Sequence, residues 1–248
     1  MGRIHTHKQR HPISTIAMSP IHRAVRFYEA PIGKKAVMAV TGLVLFGYVV
    51  AHLLGNLQIY LPNHQQINDY AAGLHNPAIA PLLLAARLIL LLCVILHIMA
   101  AIQLWGQNRA ARPYSYQKKA DVPTSYAART MKWSGFIVAA FVIFHVLQLT
   151  VGAFAPGLPA EELSAHHPDA RYNVVHGFQN YGVSAFYIVA MILLCMHLYH
   201  GIWSMFQSFG VSNPKYSQRI KSAAKVIAIL IAIGNISIPL AVMSGLLH

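Results

Sequence analysis

Long apolar stretches alternate with short polar ones along this chain. Each stretch reaches the roughly 20 apolar residues that a membrane-spanning helix needs, and none alternates apolar with polar residues as a half-buried strand would. The pattern predicts an all-α integral membrane protein with five transmembrane helices, at about 36–60, 78–105, 133–154, 181–209 and 223–247. Residues 1–32 are expected to form a cytoplasmic N-terminal extension, and residues 33–248 one five-helix membrane domain.

Composition supports a lipid environment. Hydrophobic residues make up 56% of the chain and charged residues only 10%, whereas a soluble domain carries roughly 25% charged residues. The formal net charge of +13 could attract nucleic acid, but the Lys and Arg residues cluster beside alternate spans. That distribution is typical of topology signals and of contact with anionic lipid headgroups. No nucleic-acid partner is therefore expected.

The same basic residues predict the orientation. Lys and Arg are concentrated in the N-terminal segment and in the loops after the second and fourth spans, and the first loop has none. The positive-inside rule then places the N-terminus in the cytoplasm and the C-terminus outside. The expected location is the bacterial cytoplasmic membrane, as a multi-pass protein.

Five histidines lie within the predicted spans. A lone intramembrane histidine is most simply a hydrogen-bonded core residue, but His52, His97, His145 and His197 stand one on each of four successive spans. Polar side chains at this depth are costly and usually functional. Neutral imidazole is a good axial ligand for haem iron, and two imidazoles give a low-spin electron carrier. The pattern predicts two bis-histidine haems.

Depth along the helices sorts these histidines into pairs. His52 and His145 each lie ten or eleven residues from the outer end of their span, about 15 Å deep at the helical rise. His97 and His197 each lie sixteen residues from it, about 24 Å deep. The first pair is predicted to hold an outer haem iron and the second an inner one. His200 could also ligate, but its depth matches His97 less well, so it is interpreted as a propionate or quinone contact.

Other polar residues are weaker candidates. Arg87 could neutralise outer-haem propionates, with snorkelling to the surface as the alternative. Gly55, Gly152 and Gly201 follow the ligands and could leave room for a porphyrin, with ordinary small-residue packing as the alternative. Near the inner face, the groups that could pair with inner-haem propionates are Lys34, Lys35, Arg129, Lys132 and Ser204.

Quinone chemistry needs polar groups near the ring carbonyls and an apolar slot for the ring and tail. Two sites on opposite faces fit this need, and the sequence does not choose between them. The outer candidates are Asp69, Tyr70 and His75, beside Asn68 and His176, and the inner candidates are Trp203, Ser204 and His200. For each outer residue, a solvated polar loop is the alternative interpretation.

The surroundings of these histidines resemble a known family. The segments are GKKAVMAVTG at 33–42, AHLLGNLQ at 51–58, RTMKWSG at 129–135, FHVLQLTVG at 144–152, and MHLYHGIWSMFQSFG at 196–210 followed by NPKYSQR. In this order they are similar to the di-haem cytochrome b membrane-anchor subunit of bacterial succinate dehydrogenases and fumarate reductases, which are succinate:quinone oxidoreductases. The resemblance covers about residues 28–245.

The resemblance implies a function and partners. It places the family's four ligands on His52, His97, His145 and His197, first with third and second with fourth, which disfavours His200. It implies two haem b, a quinone substrate such as menaquinone, and cytoplasmic flavoprotein and iron–sulfur subunits carrying FAD and iron–sulfur clusters. Electrons from succinate, in the tricarboxylic acid cycle and respiratory chain, would pass to the inner haem, the outer haem and quinone. This chain would carry electron transfer and quinone reduction, not succinate oxidation.

One position departs from part of the family. Some di-haem fumarate reductases carry a proton-conducting glutamate two residues before the fourth-span ligand, where this chain has Cys195. Because no predicted span contains a carboxylate, compensating transmembrane proton transfer is not expected.

Two alternatives remain at the level of the sequence. The first is a di-haem anchor of another dehydrogenase, of the hydrogenase or formate dehydrogenase type, with the same chemistry and a different partner. The second is a histidine-lined transporter, which the lack of intramembrane carboxylates and of broken helices disfavours.

Overall fold

The computed structural model describes residues 19–111, 126–152, 169–211 and 213–248, and the ordered elements within them are helical. Five helices are long and apolar enough to cross a membrane: Pro31–Tyr60, Pro77–Ala110, Arg129–Val151, Tyr181–Ser208 and Pro214–Met243. The prediction of an all-helical chain with five spans is confirmed for these residues. The protein is accordingly a multi-pass membrane protein.

We number the α-helices of the described residues α1 to α8. Three are short: α1 (Pro20–Glu29), α3 (Gln66–Gly73) and α6 (Ala170–Gln179). The five long ones are α2 (Pro31–Asn56, continued by a 3₁₀ turn Leu57–Tyr60), α4 (Ala80–Ala110, preceded by a 3₁₀ turn Pro77–Ile79), α5 (Tyr126–His145, continued by a π-helical turn Val146–Val151), α7 (Tyr181–Ser208) and α8 (Pro214–Met243).

The helices extend beyond the apolar stretches from which they were predicted. The fifth span was expected from about residue 223, but α8 begins at Pro214, with the Asn213 side chain accepting a hydrogen bond from the Lys215 amide. Proline is favoured in a first helical turn and asparagine just before it. Hydropathy marks the part of a helix that lies in lipid, whereas caps mark where the helix itself begins.

The long helices are arranged around two central members, α2 and α7. Helix α2 packs against α4 and α7, α7 packs against α5, and α8 lies mainly along α7. Ala224 and Ala228 of α8 are fully buried, and such small side chains let membrane helices approach closely. Helix α4 is peripheral, with only Ala100 and Leu104 buried among its described residues.

The end of the bundle that contains Pro31, Ala110, Arg129, Ser208 and Pro214 carries the clustered basic residues, and we call it the basic end. Helix α1 is fastened there by Lys34, which is 5% exposed. Its Nζ donates to the carbonyls of Tyr28 and Glu29, and the Tyr28 hydroxyl donates to Gln103 Oε1 on α4. The ammonium group of Lys34, one of the residues that could pair with inner propionates, caps the last turn of α1 in this structure.

A substitution at Gly33 should detach α1 from the bundle. A Cβ at this position would overlap the carbonyl group of Phe27, and backbone atoms cannot move aside as a flexible side chain can. We expect Gly33→Ala to expose α1, seen as several-fold faster tryptic cleavage at Arg23 and Arg26. Gly73→Ala is the control, because its Cβ would meet no atom within 4 Å. Equal cleavage in the two variants would contradict this prediction.

Arg171 joins several elements at the opposite end. Its guanidinium donates to the carbonyls of Ile59 and His248, and its backbone amide donates to Asn68 Oδ1. Asn68, noted from the sequence as a possible outer quinone contact, is buried here and holds α3 against α6.

Candidate functional site

The four histidines predicted from the sequence form two pairs in the bundle. The imidazole centroids of His52 on α2 and His145 on α5 are 5.6 Å apart, with the rings at 88°. The centroids of His97 on α4 and His197 on α7 are 6.3 Å apart, with the rings at 60°. These are the pairs that depth counting predicts, although their role as ligands stays a prediction.

Each pair joins two helices that are not packed directly along each other. Among the described residues, neither α2 with α5 nor α4 with α7 is a pair of extensively packed helices. Instead α7 lies against both α2 and α5, and α2 lies against both α4 and α7. The His52–His145 pair therefore crosses a groove between α2 and α5, with α7 as its floor. The His97–His197 pair crosses a groove between α4 and α7, with α2 as its floor. A planar ligand between the imidazoles would occupy such a groove.

The spacing within each pair fits coordination of one metal atom from opposite sides. A metal–imidazole bond is about 2 Å long, so two imidazoles on opposite sides of one metal place their ring centroids roughly 6 Å apart. The part of the chain that the structure describes contains no cluster of three or more His, Cys, Asp or Glu side chains suited to a metal ion. Haem needs only two protein ligands because the porphyrin supplies the other four nitrogens, so the donor set fits haem better than a bare metal ion.

A hydroxyl group contacts one imidazole of the first pair. Nδ1 of His145 lies 3.2 Å from the hydroxyl oxygen of Tyr187 on α7, and that hydroxyl donates to Gln148 Oε1 at 2.8 Å. Because the phenolic proton is used in this way, the hydroxyl accepts from Nδ1–H of His145. Gln148 lies in the π-helical turn that follows His145, and such turns are frequent at functional sites.

The second pair has a corresponding contact. Nδ1 of His97 lies 3.2 Å from Oγ1 of Thr41 on α2, and this hydroxyl donates to the backbone carbonyl of Val37 at 2.7 Å. It therefore accepts from Nδ1–H of His97. Thr41 lies inside one of the family-like segments, but the sequence alone indicates no role for it. The one feature of the sequence that could have indicated such a role is a threonine within an apolar span, directly before Gly42.

The other two imidazoles differ from these. Nε2 of His52 is 3.1 Å from the Asn56 side-chain amide nitrogen, which donates to it, and Tyr48 stacks on the ring with centroids 5.5 Å apart. The Asn56 amide must turn away for that nitrogen to bind a metal. Nδ1 of His197 is buried without a hydrogen-bond partner among the described residues. Buried polar atoms in this state are uncommon and point to a missing ligand or water.

Two glycines that the sequence analysis did not select give the second pair its space. A Cβ on Gly42 would lie 3.3 Å from Cε1 of His97, and one on Gly135 would lie 3.8 Å from Cε1 of His197. Gly55, which was expected to make room for a porphyrin, instead receives the Tyr70 ring, and Gly201 faces open space. Gly152 ends the π-helical turn with φ of 73°.

The outer quinone candidates lie on and beside α3. The Tyr70 ring covers Gly55, one turn from His52, and Tyr70 is 40% exposed. Tyr70 and Arg87 are close enough to Tyr48 to act on its hydroxyl electrostatically. Asp69 is in the first turn of α3, and Nδ1–H of the exposed His75 donates to the Ala71 carbonyl. Tyr70 therefore covers the helical turn next to His52, Arg87 lies near Tyr48, and His75, just beyond the end of α3, is hydrogen-bonded to Ala71.

The inner candidates lie towards the basic end. The Trp203 ring is covered by the Lys221 ammonium, 4.7 Å from its centroid, and the Ser204 carbonyl accepts from Ser208. His200 lies close enough to His197 for electrostatic interaction. Two of the propionate candidates, Lys35 and Arg129, are exposed, and the Lys132 ammonium lies 5.2 Å from the centroid of the Trp133 ring.

Cys195, the position that departs from part of the family, is half-buried and packs against the apolar cluster around Leu53 and Leu198. Its surroundings are those of a small hydrophobic side chain.

Comparisons of the chain with protein-family profiles, with curated proteins and with solved structures found no match.

Proposed function

We propose that this protein is a di-haem cytochrome b membrane anchor that carries electrons between a cytoplasmic dehydrogenase and quinone. The observation that carries the proposal is the presence of two facing histidine pairs, with centroid distances of 5.6 and 6.3 Å, on helices that otherwise keep apart. Two unrelated core histidine contacts would not be expected to share this arrangement. The resemblance of the histidine segments to succinate:quinone oxidoreductase anchors agrees with it.

In this proposal each chain element has a defined task. His52 and His145 hold one haem iron, His97 and His197 hold the other, and the apolar helices exclude water from both. When bound, haem supplies a one-electron carrier that works without proton transfer at the ligands. On α2 the second pair contacts Thr41, eleven residues before His52, and on α7 the first pair contacts Tyr187, ten residues before His197. The two levels are thus about 15 Å apart, more than the difference of about 9 Å between the depths counted from the sequence, and both centres fit within one bilayer.

The orientation follows from charge. With the basic end in the cytoplasm, the His97–His197 pair is the inner centre and the His52–His145 pair the outer one. Flavoprotein and iron–sulfur subunits would dock on the cytoplasmic face, and electrons from succinate, or to fumarate in reverse, would use the inner centre first. A transporter is less well supported, because the five spans contain no Asp or Glu at all.

For quinone, we propose the outer side. Tyr48, which stacks on His52, is 46% exposed, and Tyr70, which covers Gly55 one turn away, is 40% exposed. The exposed Arg87 of α4 lies near Tyr48. Phenol and guanidinium groups can donate hydrogen bonds to quinone carbonyls, and the neighbouring apolar helix surface suits the tail. On the inner side, the Trp203 ring face is already occupied by Lys221.

A redox titration of the purified protein tests the proposal. We expect about two haem b per chain and a reduced-minus-oxidised α-band that develops in two one-electron steps with different midpoint potentials. In native membranes, succinate should reduce both centres. A folded protein that shows no α-band with dithionite would overturn the proposal and favour a transporter. Haem reduction by hydrogen or formate, but not by succinate, would assign the anchor to another dehydrogenase.

A further inference from the structure

In each histidine pair, Nδ1 of one imidazole contacts a hydroxyl group, and that hydroxyl group already donates its proton to another acceptor. Tyr187 gives its proton to Gln148 and Thr41 gives its proton to the Val37 carbonyl, so each hydroxyl can only accept from the imidazole. These contacts place the proton of His145 and of His97 on Nδ1, and the Met38 backbone is a further partner of the His97 imidazole. The lone pair on Nε2 is left free, which is the form that a metal ligand requires.

The two hydroxyls occupy equivalent places in the bundle. Tyr187 is on α7, the floor of the groove that His52 and His145 cross, and Thr41 is on α2, the floor of the groove that His97 and His197 cross. Tyr187 precedes His197 by ten residues, and Thr41 precedes His52 by eleven. Each central helix therefore supplies a ligand at one level and a hydroxyl at the other, about 15 Å away.

This arrangement has an electronic consequence. A metal-bound imidazole that donates its other N–H to an acceptor becomes more basic, and outer partners of this kind tune the properties of the metal. A more basic axial ligand stabilises the ferric form over the ferrous form and so lowers the midpoint potential. Loss of the acceptor should therefore raise the potential of that haem alone.

We propose that Tyr187 and Thr41 are positioning residues that orient His145 and His97 and tune the outer and inner haems separately. The inference rests on the proposed function, because it concerns how these ligands are held. Neither residue touches iron itself. Because the two hydroxyl groups lie at different levels, each should affect the midpoint potential of one haem only, although α2 and α7 each contribute residues to both centres.

Two near-isosteric variants test the assignment: Tyr187→Phe and Thr41→Val. We expect each to shift the ferric–ferrous equilibrium of one haem by about tenfold towards the ferrous form, equivalent to about 59 mV for a one-electron couple. Tyr187→Phe should move the outer centre only, and Thr41→Val the inner centre only. The low-spin ferric EPR signal of the affected centre should change with its potential. Thr41→Ser, which keeps the hydroxyl, should restore the wild-type values.

The control is Tyr199→Phe on α7, because Tyr199 packs within the apolar cluster around Leu198 and not at either pair. Its two potentials should match those of the wild type. Unchanged potentials and EPR signals in Tyr187→Phe and Thr41→Val, with both haems bound, would overturn this inference and leave the proposed function intact. A shift of the wrong haem would also overturn it. The proposed function is tested separately, by the haem content and the two reduction steps of the wild-type protein.

Discussion

Replacement of His145 by alanine should remove the outer haem and leave the inner one in place. The bound haem content should fall to about half, because one of the two proposed haem centres would lose one of its two histidines. His52→Ala should give the same remaining centre, since its ring faces His145 at 5.6 Å. His97→Ala and His197→Ala should leave the other centre instead. The measurement is a potentiometric titration of the α-band, which identifies the surviving haem by its midpoint potential.

Two further histidines serve as controls for this series. His75→Ala should keep both haems, because that imidazole is exposed and donates to the carbonyl of Ala71 outside the bundle. His200→Ala should also keep both, with at most a shifted inner potential. If His200→Ala abolished a haem and His197→Ala did not, the fourth ligand would be wrong. If His52→Ala and His145→Ala left different centres, the pairing would be wrong.

A leucine at Gly42 should selectively weaken the inner haem. Even a methyl group there would lie 3.3 Å from Cε1 of His97, and the larger side chain would push the imidazole away from Thr41 and from His197. Overpacking of this kind costs about 1–3 kcal/mol, which corresponds to roughly 5- to 150-fold weaker haem binding. The ratio of inner to outer haem in the purified protein, obtained from the same titration, measures the effect.

Gly47→Leu is the matched control for this substitution. It lies on the same helix and makes the same change, but a Cβ there meets nothing within 4 Å. Both haems should bind as in the wild type. Equal haem loss in the two variants would show that α2 tolerates no large side chain in general, and it would contradict a specific role of Gly42 at His97.

The sequence was sufficient for the spans and for the histidine pairs, and the reason is geometrical. A helix rises by a constant amount per residue, so counting from its ends gives the depth of any side chain without knowledge of its neighbours. That is why His52 could be matched with His145, and His97 with His197, before any packing was known. The length of an apolar stretch likewise identifies a membrane span, because a helix needs about 20 apolar residues to cross the hydrocarbon core of the bilayer.

The sequence was less informative about the direction that a residue faces around its helix axis. For Gly55 the sequence left open porphyrin space or ordinary helix packing. In the structure Gly55 receives the Tyr70 ring, and Gly42, which was not selected, lies close to His97. Lys34 was expected near propionates, yet it caps α1. Counting along the helix places Gly55 near the level of His52 and Lys34 near the basic end, but it does not give the direction in which either residue points. That direction around the helix axis depends on the packing partners.

The sequence by itself determined that this is a five-span helical membrane protein with intramembrane histidines at two depths, because hydropathy and helical rise are local properties. Only the tertiary structure decided that α2 and α7 are the shared central helices, and that Thr41 and Tyr187 meet His97 and His145 across them. These contacts join residues that are 56 and 42 positions apart in the chain. They depend on which helices become neighbours, and close packing of the whole bundle settles that.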